Sequence, residues 1–294
     1  MGIIGILLVL AGPLVTLGIW LWLRSRRDPV ALVEPLELGR VLSLGFRIFT
    51  PEGWPALLLA ALLVGLPQAV SALVTRPMMI ARTQQIAALH PASPFAAFEA
   101  MMSAPIIVAG IVGFLLMMTY YIATTIFLVS RFEGTPVSIG EALARTPARV
   151  LPAFFAILLS LVGIMLGWIL FLVPGIVLSL NWILIVPVIS CENAGFLGSF
   201  ARSRSLVTGS RGRIVLLFLL LILVMLLLSL PGMLLARTMV GQMNTSPGLF
   251  VVVWQIVFGI AVAAFQSSLL AGLYVELRRI RDGMTAPGLA DVFA

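Results

Sequence analysis

The chain has 294 residues, 61% of them hydrophobic and 10% charged, with a mean hydropathy of +1.18. Soluble domains carry about 25% charged residues, and a water-soluble fold has too little interior to hide this much apolar surface. Disorder, which needs a polar and charge-rich chain, is excluded on the same grounds. The net charge is +7, from 18 basic residues, all arginine, against 11 acids. A basic excess suits nucleic acid or an anionic membrane surface. Here the arginines sit in short connections beside long apolar runs, the pattern of charge retained on one side of a membrane, so nucleic acid is not expected as a partner. One cysteine, Cys191, excludes an internal disulfide framework. One histidine, His90, leaves little from which to build a transition-metal site, and no cofactor is expected.

A crossing of the hydrocarbon core takes about 20 mostly apolar residues. The first stretch that qualifies, Ile3–Leu23, has no positive start and no small-residue cleavage site before Arg24, so it is expected to be an uncleaved anchor. Trp54–Val74 follows, and then a predicted external connection, Thr75–Ala104, holding His90, Pro91 and Pro94. A lone histidine in such a place is most simply solvated. Pro105–Ser130 is the third span. Leu151–Val173 and Gly175–Cys191 form one apolar run too long for a single crossing, and Pro174-Gly175 near its middle predicts a tight helical hairpin. Its second arm is the shortest span and carries Asn181, with a re-entrant segment as the alternative. Ile214–Leu235 and Leu249–Val275 complete the set. The expected fold is therefore all-α, a polytopic transmembrane helical bundle of about seven spans. Residues 1–30 are an N-terminal anchor, 31–283 a six-span domain and 284–294 a short tail.

Seven crossings put fifteen arginines on one side and leave Arg76, Arg82 and Arg237 on the other. That bias places the N-terminus outside and the C-terminus in the cytoplasm, and the expected location is a bacterial inner membrane. Trp20, Trp22 and Trp54, at span ends, suit an aromatic belt.

The three internal arginine-bearing segments resemble one another. Each has an aliphatic-Gly pair, Leu38-Gly39, Ile139-Gly140 and Leu197-Gly198, and each runs into an apolar span ending near a proline, at Leu66-Pro67, Val173-Pro174 and Leu230-Pro231. The expected unit is a short cytoplasmic helix followed by two spans, repeated three times. The short helices have amphipathic spacing. In the first, Leu38, Val41, Leu42 and Phe49 oppose Arg40, Ser43 and Arg47. In the second, Ser138 and Glu141 make a capping box and Glu141 and Arg145 an i,i+4 pair. Ile139, Leu143 and Val150 are its apolar residues, and Pro147 kinks or ends it. In the third, Asn193 is the candidate N-cap, Phe196, Leu197, Phe200 and Val207 are apolar, and Gly209 is the candidate stop. Such helices lie in the interface plane, with arginines toward lipid phosphates. An ordinary helix parking its apolar side on the membrane is the simpler alternative to specific lipid recognition.

No ionisable residue falls in the middle of a span, which counts against an ion-coupled pump. Glu192 and Glu276 read as interface residues at span ends. Gln255 and Gln266 share a face of the last span, with Ser267 and Ser268 beside it, and Tyr120, Tyr121, Thr124 and Thr125 form a second polar patch. These groups line a ligand cavity or, more simply, make interhelical hydrogen bonds. Gly163-x-x-x-Gly167 is a close-packing signal, expected to act within the chain. No Walker A, H-E-x-x-H or G-x-S-x-G motif is present, and Cys191 has no evident partner base, so catalysis is not expected and no catalytic, cofactor-binding or metal-ligating residue is assigned.

The stretch from Gly167 through Gly212 resembles the membrane domain of bacterial glycerophosphoryl diester phosphodiesterases and its stand-alone relatives. The residues that carry the resemblance are Val173-Pro174-Gly175-Ile176, Trp182, Pro187-Val188 and Glu192 with Gly195, then Phe200, Ser203, Leu206 and Gly209. The resemblance implies a polytopic inner-membrane protein. In fused relatives a soluble barrel supplies the chemistry, and nothing here matches that part. The function expected from the sequence is a non-catalytic membrane component that organises membrane lipids, through anionic headgroups at the cytoplasmic face, or a protein partner. A transporter for a lipidic or small polar solute is the alternative.

Overall fold

The structure, a computed structural model, describes residues 36–89, 96–170, 172–192, 194–240 and 249–283. The expected anchor Ile3–Leu23, the tail 284–294, His90 and Asn193 lie outside the described residues. Every regular element among the described residues is helical. In chain order these are α1 (Leu38–Phe46, continued by a 3-10 turn, Arg47–Phe49), α2 (Trp54–Leu89), α3 (Ala96–Met101), α4 (Ala104–Phe132) and α5 (Ile139–Arg145). Then come α6 (Pro147–Leu170), α7 (Leu172–Asn181), α8 (Ile185–Cys191), α9 (Gly195–Val207), α10 (Arg211–Val240) and α11 (Leu249–Asp282). Among the described residues six stretches are long and apolar enough to cross a membrane: Trp54–Leu89, Ala104–Phe132, Pro147–Ile169, Pro174–Cys191, Arg211–Gly232 and Val251–Asp282.

The packed core lies toward the arginine-rich end. In α4 no side chain from Ala104 to Met117 is buried, whereas Met118, Tyr120 and residues 122–130 are. α6 buries Ala153 and Ala156 near its start, and α10 buries Ile214 and Leu217 but leaves Leu220, Ile222, Leu223, Leu227 and Leu230 exposed. Burial in these three helices is thus concentrated at the arginine-rich end.

The expected external connection Thr75–Ala104 is instead largely helical where it is described. Helix continues from Trp54 to Leu89 and resumes over Ala96–Met101. Arg76-Pro77 does not end it because the turn before, Ser71–Thr75, is π-helical, as is Ala61–Gly65 before Leu66-Pro67. A proline ring collides with the carbonyl four residues back, here Leu63 and Leu73, and each of those carbonyls lies in a widened turn that moves it aside. Pro231 likewise lies inside α10, beside Gly232, where the membrane-crossing stretch ends as expected while the helix itself runs on.

The hairpin of α6 and α7 forms, but Pro174 and Gly175 sit inside α7 instead of in the turn. Gly175 serves close approach: a Cβ there would lie 2.8 Å from the Trp168 ring, and one at Gly167 would lie 3.0 Å from the Gly175 Cα. Gly163 accommodates Trp182, whose ring would meet a Cβ at 2.6 Å, so the Gly163-x-x-x-Gly167 face packs within the chain.

The fifth span breaks at Trp182–Leu184 into α7 and α8. Pro187 accounts for the position, since its ring excludes a helical carbonyl at Ile183. The freed backbone groups are taken up by α9: Ser203 Oγ donates to the Asn181 carbonyl at 2.7 Å and accepts from the Leu184 N–H at 3.2 Å. Phe200 supports the break, edge-on to Trp182 at 5.2 Å. Leu184 is fully buried, so Ser203→Ala leaves its N–H without a partner, and we expect a loss of about 1–2 kcal/mol in detergent unfolding. A change within measurement error would mean that water satisfies the break.

The short helices meet expectation at Ser138 and Gly209, but the N-cap position of α9 is Ala194 and not Asn193, and α1 departs from expectation in its face. Ser138 accepts from the Glu141 N–H, Glu141 pairs with Arg145, and Gly209 adopts φ +92° past the end of α9. Pro147 opens α6 directly after Thr146 caps α5, so it starts a helix and kinks none. α1, expected to lay its apolar side on lipid, instead lies along α11. Val41 and Ile48 are buried, Phe46 meets the Phe265 ring at 4.9 Å, and Ser268 Oγ donates to the Leu44 carbonyl at 2.9 Å.

Candidate functional site

Two polar regions stand out, one at the arginine-rich end of the bundle and one along the helices away from it. At the arginine-rich end the carboxylates and arginines form a continuous belt across α4, α8, α9 and α11. Arg202 is its centre. Its Nε donates to both oxygens of Glu192, at 3.1 and 2.9 Å, and its two terminal nitrogens donate to Asp282, at 3.2 and 2.5 Å. The bonds to Asp282, and then those to Glu192, raise the Arg202 pKa above its ordinary value against the opposing effect of burial. Tyr274 donates to Glu192 at 2.8 Å, and Arg278 donates to Glu133 at 2.9 Å and lies 3.8 Å from Asp282. Glu276, expected at the interface, is only 2% exposed and is held by Arg279 at 2.9 Å and Arg40 at 3.7 Å. A carboxylate so removed from water is stable only with such partners. Glu192 belongs to the same structural belt.

The belt consumes many of the arginines but not all. Arg149, Arg204 and Arg281 have no carboxylate within ion-pair distance among the described residues. On α9 the exposed Arg204 shares a face with Leu197, two turns earlier and 69% exposed.

The second region involves the two glutamines. They do not act together. Gln255 accepts from Arg76 Nη1 at 2.9 Å, and Gln266 accepts from the Tyr121 hydroxyl at 3.1 Å. Tyr120 bonds Ser267 at 3.0 Å, while Thr124 and Thr125 turn back to the carbonyls of Tyr120 and Tyr121. Most of this polar set is therefore interhelical or local hydrogen bonding. A cavity of about 320 Å³ does reach Tyr121, Thr125, Gln266 and Ser267, between α4, α6, α8 and α11. Gln255 lines a different one of about 410 Å³ with Gln68, Arg76 and Trp254.

Among the described residues no group of three or more His, Cys, Asp or Glu side chains stands together as a metal cage. The belt and the Arg76–Gln255 pair were not visible to sequence reasoning. The single local signal for the belt is the charge spacing Glu276, Arg278, Arg279, Asp282 along one helix.

Length and apolarity of six helices define a multi-pass helical membrane protein. Neither a protein-family model nor a curated protein nor a solved structure matches the chain.

Proposed function

We propose that this is a non-catalytic, seven-span protein of the bacterial inner membrane that gathers anionic lipid headgroups at its cytoplasmic face. The N-terminus is periplasmic, the C-terminus cytoplasmic, and the six-span domain 31–283 follows an anchor. The observation that carries this reading is the division of labour among the arginines. One set is neutralised within the carboxylate belt, while Arg149, Arg204 and Arg281 keep their charge for a partner outside the described fold. The exposed Leu197 and Arg204 on one face suit an interface between hydrocarbon and phosphate. The resemblance of residues 167–212 to the membrane domain of glycerophosphoryl diester phosphodiesterases, without its catalytic barrel, supports the same reading.

The test is lipid retention by the full-length chain in nanodiscs of equal phosphatidylglycerol and phosphatidylcholine, read by native mass spectrometry. Each arginine near an anionic surface contributes about 1 kcal/mol, or about fivefold in retention, so Arg149→Gln/Arg204→Gln/Arg281→Gln should abolish selectivity for phosphatidylglycerol. Equal retention of the two lipids by the unaltered chain would sink the reading. A permease, the second reading, draws on the 320 Å³ cavity at Gln266; solute flux in proteoliposomes that is lost in Gln266→Leu would establish it instead.

A further inference from the structure

The end of the bundle away from the carboxylate belt carries a groove that the cytoplasmic-face reading does not use. Two cavities lie along α10, one of about 410 Å³ against α2 and α11 and one of about 550 Å³ against α11. Ser229 and Phe258 line both, so the two adjoin along one track. Each volume lies in the range of about 300–1,000 Å³ usual for small-molecule sites.

The track has a polar head and an apolar body. Its head holds Gln68, Arg76, Trp254 and Gln255. Its body runs past Met225, Leu226, Val262 and Phe265 to Leu270, with Gln266 on its wall. Among the described residues neither cavity is lined by an aspartate or glutamate. Arg76 spends one donor on Gln255, and a guanidinium has five. Gln68 reaches the head because residue 259 is glycine: a Cβ there would fall 2.2 Å from its Oε1.

Depth fits the same division. Arg76 is 22 residues along α2 from Trp54, about 33 Å at 1.5 Å per residue, which matches a hydrocarbon core of about 30 Å. Arg76 thus stands at the headgroup level opposite the carboxylate belt. Trp254, stacked with Phe258 at 6.3 Å, stands there too, as interfacial tryptophans do. From Gln255 to Gln266 is 11 residues, about 16 Å, or one leaflet.

We propose that this groove holds one phospholipid of the outer leaflet, its anionic phosphate on Arg76, Gln68 and Gln255 and one acyl chain laid between α10 and α11. The cation without a carboxylate selects the headgroup, and the apolar wall between the two glutamines excludes a hydrated solute. The site lies on the opposite face from Arg149, Arg204 and Arg281 and stands or falls independently of them.

The experiment uses the full-length chain in phosphatidylcholine nanodiscs doped with phosphatidylglycerol or phosphatidylcholine bearing a diazirine in one acyl chain. After irradiation the labelled peptides are mapped by mass spectrometry. We expect phosphatidylglycerol to label segments 221–229 and 258–266 in preference to phosphatidylcholine. Arg76→Gln should lower that labelling about fivefold, the worth of one arginine at an anionic headgroup, with the phosphatidylcholine signal unchanged. Met225→Trp/Val262→Trp, which fills the track, should remove labelling by both lipids. Gln255→Leu tests the head without touching a charge, and an unchanged thermal midpoint certifies that each variant is folded. Equal labelling by the two lipids with no effect of Arg76→Gln would overturn the proposal. So would absence of label together with disulfide formation between Leu10→Cys and Met225→Cys in a Cys191→Ser background, since the N-terminal segment would then be the occupant.

Discussion

Arg202→Met should lower the unfolding free energy of the detergent-solubilised protein by about 2–3 kcal/mol. Removing one partner of a buried ion pair costs about 3–5 kcal/mol, and the lower figure applies because Arg202, Glu192 and Asp282 keep some contact with solvent, at 26%, 19% and 30% exposure. The loss is large for one side chain because Arg202 serves two carboxylates from separate elements. Without it Glu192 retains Tyr274 and Asp282 retains the more distant Arg278, and two negative charges face each other across the gap. Arg202→Lys should recover only part of the difference, since an ammonium cannot present a fork to each carboxylate. Unfolding in graded denaturant, followed by tryptophan fluorescence, measures both. A shift below about 0.5 kcal/mol, the value of an ordinary surface pair, would remove the belt from any structural role.

Gly167→Leu should be at least as damaging. The hairpin of α6 and α7 closes at Gly167 on Gly175, with the Leu178 methyl also 3.0 Å from any added Cβ. The Gly175 backbone and the Leu178 methyl leave no path for a leucine except separation of the helices, and overpacking of this kind costs about 1–3 kcal/mol or more. In a membrane bundle such close approach is a main source of helix association, because lipid is as apolar as leucine and offers no hydrophobic drive. Gly113→Leu provides the control: Gly113 is also in a spanning helix, and a Cβ there meets nothing within 4 Å. The yield of folded monomer and the unfolding midpoint should fall for position 167 and not for 113. Equal effects at both would show that helix flexibility, and not packing, is what these glycines supply.

Apolar runs, caps and stops were legible because they are local. A run of twenty aliphatic residues has one use, Ser138 and Glu141 meet across one turn, and Gly209 takes a positive φ that few residues accept. The direction of each apolar face was not legible. Val41 and Ile48 pack on protein and Leu197 does not, yet all three carry the same information in a chain whose solvent is hydrocarbon. Prolines misled for a related reason. Pro67 and Pro231, expected near span ends, lie within helices, while Pro187 fixes the gap before α8. Whether a proline ends a helix depends on whether the preceding turn can widen or another element can take the freed groups, as Ser203 does. The belt joins residues 80 positions apart in Arg202–Asp282 and 145 apart in Glu133–Arg278, and Arg76–Gln255 joins residues 179 apart. No periodicity along the chain encodes those pairs.

The two π-helical turns in α2 have a geometric consequence of their own. Each inserts one residue into the winding, and one residue is worth about 100° of azimuth. Together they rotate everything beyond Thr75 by about 200° relative to an uninterrupted rod. Arg76 owes its bearing toward Gln255 to that accumulated phase; wound regularly from Trp54, the same sequence would aim its guanidinium at the opposite side of the helix. The widened turns therefore act as a vernier, setting which neighbour the far end of the rod addresses while leaving its anchorage at Trp54 untouched.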